Sequence, residues 1–184
     1  IWGQRDALRI GKTESLHNFY QTADTIWNLS EVSQHFGVIA PHSVSQGVGG
    51  TYYYTDYGVV RESEGLYRDR QFSTEFISQK VAALDTLPIA KKENAVGFSY
   101  DQMYMLSLRQ LGDSGQTYVY FERANAWARW PNLCFGGATL YSTETSLSFI
   151  PGDTLYFFKP GGTHIYRLRG DTTYANARIP LIVE

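Results

Sequence analysis

The sequence predicts an all-β fold, a β-propeller-like array of four-stranded meander blades that forms part of a longer chain. Three observations lead there. Among 184 residues the chain carries 14 Tyr, 10 Phe and 4 Trp, a load ordinary for sheet and high for helix, because aromatic and β-branched side chains fill a pleated, half-buried surface. Residues 117–130, Thr-Tyr-Val-Tyr-Phe-Glu-Arg-Ala-Asn-Ala-Trp-Ala-Arg-Trp, read as two short strands around a turn at Ala124-Asn125, since Asn tolerates tight-turn backbone angles. Finally, β-prone blocks start near residues 51, 95 and 137, spaced by 44 and 42 residues, within the ~40–50-residue period of four-stranded blades. The same period puts neighbouring block starts near residues 7 and 180. A two-sheet sandwich of similar strand count is the structural rival.

Residues 1–50 form an irregular first blade and connection, with strands at Ala7–Ile10 and Thr25–Leu29. Ser30–Phe36 reads as loop and outer strand in preference to a turn of helix. Pro41 breaks regularity, and Gly47, Gly49 and Gly50 lead into the second blade, residues 51–94. There Thr51–Thr55, Val59–Arg61, Leu66–Arg68 and Gln71–Ile77 are strands, with turns at Asp56–Gly58 and Glu62–Gly65. Val81, Leu84 and Leu87 share one side of a short helix that begins at Ser78 and is ended by Pro88 and the polar residues after it. The third blade, residues 95–136, contains Val96–Tyr100 and Gln102–Arg109, in which Met103, Met105 and Ser107 alternate with Tyr104, Leu106 and Leu108, followed by the 117–130 hairpin. The fourth, residues 137–179, contains Gly137–Tyr141, Ser146–Ile150, Thr154–Phe158 and His164–Leu168, with turns at Pro151–Asp153 and Pro160–Gly162. Residues 180–184 start a further strand. A lone four-stranded meander cannot bury either face, whereas blades stacked side by side cover both.

A formal net charge of −2 gives no global reason to coat nucleic acid, since phosphate binding needs concentrated basic surface. The single cysteine, Cys134, rules out an internal disulfide or a cysteine-based zinc site, and is expected to pack as a small hydrophobe. No apolar run approaches the roughly 20 residues that cross a bilayer, Ile1–Arg5 is not a signal peptide, and a soluble chain is expected. His17, His35, His42 and His164 are dispersed without metal-ligand spacing. Glu62 with Glu64, or Asp69 with Glu75, would have to act as a carboxylate pair in a glycosidase, but turn charges explain them better. Neither the Asp-box repeat of sialidase propellers nor Gly-x-Ser-x-Gly is present, and the glycines at 47, 49 and 50 do not open a helix as a phosphate loop must. No catalytic residue, metal or cofactor is expected. Arg169-Gly170-Asp171 and the acceptor-like Asn28-Leu-Ser30 are chance matches without context.

Tyr118, Tyr120, Trp127, Arg129 and Trp130 are candidates for a platform that stacks sugar or single-stranded nucleic acid; the competing reading makes them core between blades. Arg61, Arg68, Arg70, Arg109, Arg167 and Arg169 fall near strand ends and would steer DNA if they converged on a lumen. Arg61, Arg68, Arg129, Trp127 and Trp130 are therefore the candidate binding residues.

Tyr53-Tyr-Thr-Asp-Tyr-Gly-Val59 with Gly65-Leu-Tyr-Arg68 and Phe76-Ile-Ser78, then Met103–Ser107, Tyr118–Trp127 and Thr163–Tyr166, resemble the tail nozzle and packaged-DNA-stabilisation proteins of short-tailed bacteriophages. Gly37–Val44 resembles the segment preceding these motifs, so the resemblance spans most of residues 25–170. It implies a β-propeller-like structural protein of the virion tail with no catalytic motif. It also implies a homo-oligomeric ring, a hexamer, beneath the portal and adaptor, which closes the DNA exit channel, retains the genome and contributes to its ejection. Partners would be copies of itself, neighbouring adaptor, needle or fibre proteins, and DNA in the channel. The alternative is a carbohydrate- or receptor-binding β domain of a tail or cell surface.

Overall fold

The computed structural model describes residues 1–4, 7–23, 25–64, 72–108, 115–131, 133–141, 154–158, 165–167, 173–174, 177–178 and 182–183. The fold is all-β, built from consecutive antiparallel meanders. The first sheet contains β1 (Trp2–Gln4), β2 (Ala7–Gly11), β3 (Leu16–Ala23) and β4 (Ile26–Ser33), in that order. The second contains β5 (Ser45–Gly47), β6 (Gly50–Thr55), β7 (Gly58–Glu64) and β8 (Phe72–Phe76). Two single-turn helices, α1 (Ala82–Asp85) and α2 (Ile89–Lys92), lead to the third sheet: β9 (Val96–Tyr100), β10 (Met103–Leu108), β11 (Gln116–Phe121) and β12 (Ala126–Pro131). A fourth sheet holds β13 (Gly137–Tyr141), β14 (Thr154–Phe158) and β15 (Ile165–Arg167). Then come a short ladder of β16 (Thr173–Tyr174) with β17 (Ala177–Arg178), and finally β18 (Ile182–Val183).

Side chains on a strand alternate between faces, and here the alternation hands the second and third sheets to two different neighbours each. In β6, Tyr53 packs with Leu16, Val38 and Val60 against the first sheet. Tyr52 and Tyr54 point the other way, into a core with Tyr104, Leu106, Tyr118, Tyr120 and Trp127 of the third sheet. The third sheet repeats the device: Met105 and Val119 turn from that core to meet Leu155 and Phe157 of the fourth. Among the described residues three successive intersheet cores replace the single core of a sandwich, which is why inner strands such as Thr51-Tyr-Tyr-Tyr-Thr55 are buried on both faces.

The sheets approach most closely through their first strands, β5 toward β9 and β9 toward β13. The Ser99 backbone N–H donates to Ser45 Oγ at 2.9 Å, and the Tyr104 hydroxyl donates to the Ser43 carbonyl at 2.8 Å. Gly97 permits this approach, because a Cβ there would stand 2.2 Å from the Ser43 carbonyl oxygen.

Turn chemistry sets the registers. Gly58 at φ +125° closes the Asp56-Tyr57 turn. Asp101 and Gln102 both take positive φ and pair Tyr100 with Met103, the two-residue geometry whose twist matches that of flanking strands. Asn125 at φ 47° bends the β11–β12 hairpin where the sequence places it, and its Oδ1 accepts from the Tyr120 hydroxyl at 2.8 Å. Asn125→Val is therefore expected to destabilise the fold by about 1–2 kcal/mol through left-handed backbone strain. Asn125→Gly should lose only the side-chain hydrogen bond, about 1 kcal/mol, and the two denaturation midpoints would separate these terms.

Several expectations change. The second sheet begins at Ser45, ahead of the expected boundary at residue 51, because β5 supplies its first strand. The turn expected at Glu62–Gly65 does not start at Glu62, since β7 runs on through Glu64 with Glu62 held by Arg9. Leu66–Arg68, Ser146–Ile150 and the turns at 151–153 and 160–162 lie outside the described residues. The expected single helix is two turns separated at Pro88, which caps the second instead of ending the first, as proline is tolerated where no N–H partner is needed. Its apolar side is as expected, with Val81 and Leu84 buried and Leu87 packed against them. The strand after residue 180 opens no new sheet: β18 adds to the outer edge of the third, pairing Ile182 with Arg129 and Val183 with Ala128. Cys134 is a buried free thiol, as its expected packing role requires.

Candidate functional site

Polar groups converge at one end of the second intersheet core, where β6–β8 face the β9–β10 and β11–β12 turns. The register builds the row that leads there. On the third sheet Tyr104, Tyr120 and Trp127 stand opposite one another on β10, β11 and β12, while Tyr52 enters from the second sheet. Its ring stacks on Tyr104 with centroids 4.9 Å apart and leans on Tyr120 at 6.1 Å. Beside Tyr52 on the same face comes Arg61, then Glu75, with which Arg61 forms an ion pair.

The Gly47–Gly50 loop closes the other flank. A Cβ at Gly47 would lie 2.8 Å from Glu122 Oε1 and 3.2 Å from Ser99 Oγ, and one at Gly49 would lie 2.6 Å from the Tyr52 hydroxyl. The glycines thus let the backbone reach a carboxylate and two hydroxyls. Glu122 is placed by its own backbone N–H, which donates to the Gln102 carbonyl at 2.9 Å. Ser99 Oγ and Arg61 Nε are buried atoms with no hydrogen-bond partner among the described residues, and the Tyr52 hydroxyl lies against the Glu122 carboxylate.

Electrostatics keep the tyrosines neutral. Burial raises the Tyr52 hydroxyl well above its ordinary value, and the adjacent Glu122 carboxylate raises it further. Tyr120 is raised by burial, against the opposing pull of Arg61. Burial alone would lower Arg61, but its bond to Glu75 and the surrounding phenols outweigh that and hold the guanidinium more firmly protonated. The cluster presents hydroxyl donors and carboxylate acceptors around a fixed cation, a set suited to hydrogen bonding a polar ligand.

Of the residues singled out in the sequence, Arg61, Glu75 and Tyr120 belong to this cluster. Trp127 and Trp130 are core, 4% and 9% exposed, so neither ring offers a stacking face; Trp127 Nε1 donates to the Ile77 carbonyl at 2.8 Å. Tyr118 and Tyr120 are buried with them. Arg129 lies on β12 beside β18, its Nε buried with no hydrogen-bond partner among the described residues. Arg68, Arg70, Arg109, Arg169 and His164, and the side chain of Arg167, lie outside the described residues. The strands by which successive sheets meet, β5, β9 and β13, carry no Arg or Lys, so Arg61 and Arg129 do not converge there. Glu122, Ser99 and the Tyr52 hydroxyl escaped the sequence reading; the available signal was a glycine cluster preceding a tyrosine run.

The Ser15 hydroxyl lies 3.1 Å from His17 Nε2, but among the described residues no carboxylate orients that ring. Ser78 Oγ donates to Asp85 at 2.7 Å and accepts from the Val59 N–H, a tie between β7 and α1. Among the described residues no three His, Cys, Asp or Glu side chains group closely enough to hold a metal ion, and no helix is long and apolar enough to cross a membrane.

No family model and no curated protein matches the sequence. Among solved structures the chain is similar to a DUF4784 family protein from Bacteroides caccae ATCC 43185, with a TM-score of 0.39 and 10% identity over 97% of this chain. The chain spans 50% of that protein's length.

Proposed function

We propose that this chain is a structural component of a virion tail, a run of blade-like sheets within the nozzle that closes the DNA exit channel of a short-tailed bacteriophage. The observation that carries the reading is the use of the aromatics: Tyr52, Tyr53, Tyr54, Tyr104, Tyr120 and Trp127 are consumed in packing sheet on sheet. Such an array leaves short edges exposed. The sequence resemblance supplies the tail setting and the contact with DNA. Cryo-electron microscopy of purified particles tests the reading. A ring of this chain coaxial with the channel is the expected result, and particles that lack the chain would dismiss the reading.

The cluster of Arg61, Glu75, Tyr120, Glu122 and Ser99 favours a second reading, a module that hydrogen bonds a glycan or receptor. A glycan array probed with the wild-type protein and with Ser99→Val separates the two. Under this second reading the wild type binds a glycan and Ser99→Val does so more weakly by roughly tenfold, the worth of one hydrogen bond in a desolvated site. A blank array excludes glycans as its ligand.

A further inference from the structure

The rings beneath the candidate site form a continuous row inside the second intersheet core. Trp127 lies against Tyr120 with centroids 5.3 Å apart, Tyr120 against Tyr52 at 6.1 Å, and Tyr52 is stacked on Tyr104 at 4.9 Å with planes 17° apart. These are the spacings of aromatic rings in contact, close enough for an electron missing from one ring to be supplied by the next. The three tyrosines are 0% exposed and Trp127 4%, so none of the radicals they could form meets another molecule. Their hydrogen-bond acceptors differ in kind. Trp127 Nε1 donates to the Ile77 carbonyl, the Tyr104 hydroxyl to the Ser43 carbonyl and the Tyr120 hydroxyl to Asn125 Oδ1, each at 2.8 Å. Those acceptors are amide oxygens, which take a hydrogen bond but do not keep the proton. The Tyr52 hydroxyl instead lies against the Glu122 carboxylate, a base. A Cβ at Gly49 would stand 2.6 Å from that hydroxyl and 3.1 Å from Glu122 Oε2, so the loop backbone covers both.

We propose that this row collects one-electron oxidation and brings it to rest on Tyr52, with Glu122 as the acceptor of the phenolic proton. A cation radical left among apolar side chains is a buried charge without a partner, which is costly, so the hole settles where a proton can leave. Arg61 stands beside Tyr52 across the β6–β7 ladder and opposes a positive ring there, which favours the neutral radical. Burial keeps the Tyr52 hydroxyl protonated well above its ordinary range, so its electron departs together with its proton. The oxidant belongs to the class of outer-sphere one-electron acceptors, for example a trivalent metal polypyridyl complex. It takes one electron from a ring of the row and is reduced. Tyr52 refills that ring, its O–H bond breaks, and the proton forms a new O–H bond on the Glu122 carboxylate. The products are the reduced oxidant, a neutral tyrosyl radical and a neutral carboxyl group. The row thereby acts as a sink for oxidising equivalents, an activity beyond its packing role and independent of the tail and glycan readings.

The test oxidises the protein with tris(bipyridine)ruthenium in its trivalent state, generated by light with a cobalt pentaammine quencher, and reads the product by electron paramagnetic resonance. Samples are frozen after a delay in which radicals on exposed tyrosines couple to dityrosine. The wild type is expected to retain a neutral tyrosyl signal, because Tyr52 is shielded from coupling. Tyr52→Phe, which keeps the ring and removes only the hydroxyl, should lose that persistent signal. Glu122→Gln, which keeps the shape and removes the base, should lose it as well. Tyr53→Phe alters the other face of the same strand and leaves the row intact, so it should retain the signal. Far-ultraviolet spectra of the three variants are expected to match the wild type. A wild type without a persistent radical, or a signal of wild-type size in Tyr52→Phe or Glu122→Gln, would overturn the proposal. Loss of the signal in Tyr53→Phe alone would do the same by assigning the radical to the neighbouring core.

Discussion

Glu62→Ala is expected to destabilise the fold by about 3–5 kcal/mol, the cost of leaving a buried charge without its partner. Arg9 and Glu62 are both fully buried and join β2 of the first sheet to β7 of the second. Arg9 donates through Nε to Glu62 Oε2 at 3.2 Å and through Nη2 to Oε1, while Nη1 reaches Asn18 Oδ1. The carboxylate is acceptor-only and the guanidinium donor-only, so neither can turn to an apolar neighbour when the other is removed. Both side chains are fully excluded from water. Total stabilities of domains are about 5–15 kcal/mol, so the single substitution removes a large share, read as a lower denaturant midpoint. Arg9→Met combined with Glu62→Leu should recover most of the loss, because packed apolar side chains are often as stable as a buried ion pair. A single-variant cost below about 1 kcal/mol would place the pair in water, contrary to its burial.

This pair also marks the limit of what the sequence discloses. The Tyr52-Tyr-Tyr54 run and the Met103–Leu108 alternation are legible because period-two patterning is local, and the observed cores divide those residues by parity. Arg9 and Glu62 are 53 residues apart, and the cation next to Glu62, Arg61, stands on the opposite face of β7 and pairs with Glu75, so a solvated turn is the natural local reading. β3 was overlooked for a related reason: Leu16-His-Asn-Phe-Tyr-Gln-Thr-Ala23 mixes polar residues into both faces, and its sheet partners decide its conformation. The Asp101-Gln102 turn lacks the glycine that usually announces such geometry. At the candidate site Arg61 was accessible as a cation near a strand end. Ser99 and Glu122 acquire meaning only when the β9–β10 and β11–β12 turns meet the Gly47–Gly50 loop. Trp127 and Trp130 show the converse: their side-chain chemistry suits stacking a ligand, but the register turns both into the interior.

The second large effect is expected at alkaline pH, where the protein should unfold cooperatively while tyrosine ionisation, followed by absorbance near 295 nm, lags behind its ordinary course and then rises with the unfolding transition. Tyr52, Tyr53, Tyr54 and Tyr104 are all 0% exposed, and burial raises the hydroxyl of each far above its ordinary value. Further contributions come from Glu122 at Tyr52, Glu62 at Tyr53 and Asp85 at Tyr54, because a neighbouring carboxylate resists a second negative charge. The sign follows from linkage. A raised folded-state value means the native protein keeps protons that the unfolded chain releases, so this contribution is fully present below about pH 10 and falls as pH rises beyond it. Each such group contributes a slope of about 1.4 kcal/mol per pH unit. Four together approach 6 kcal/mol per unit, enough to exhaust a domain's stability within one or two units. Tyr54→Phe removes one titrating group and the hydroxyl donated to the Leu84 carbonyl. Its midpoint near neutrality should fall by about 1 kcal/mol, while its alkaline slope becomes shallower by one proton. Smooth tyrosine titration near pH 10 with the fold intact would contradict the burial of these rings between successive sheets.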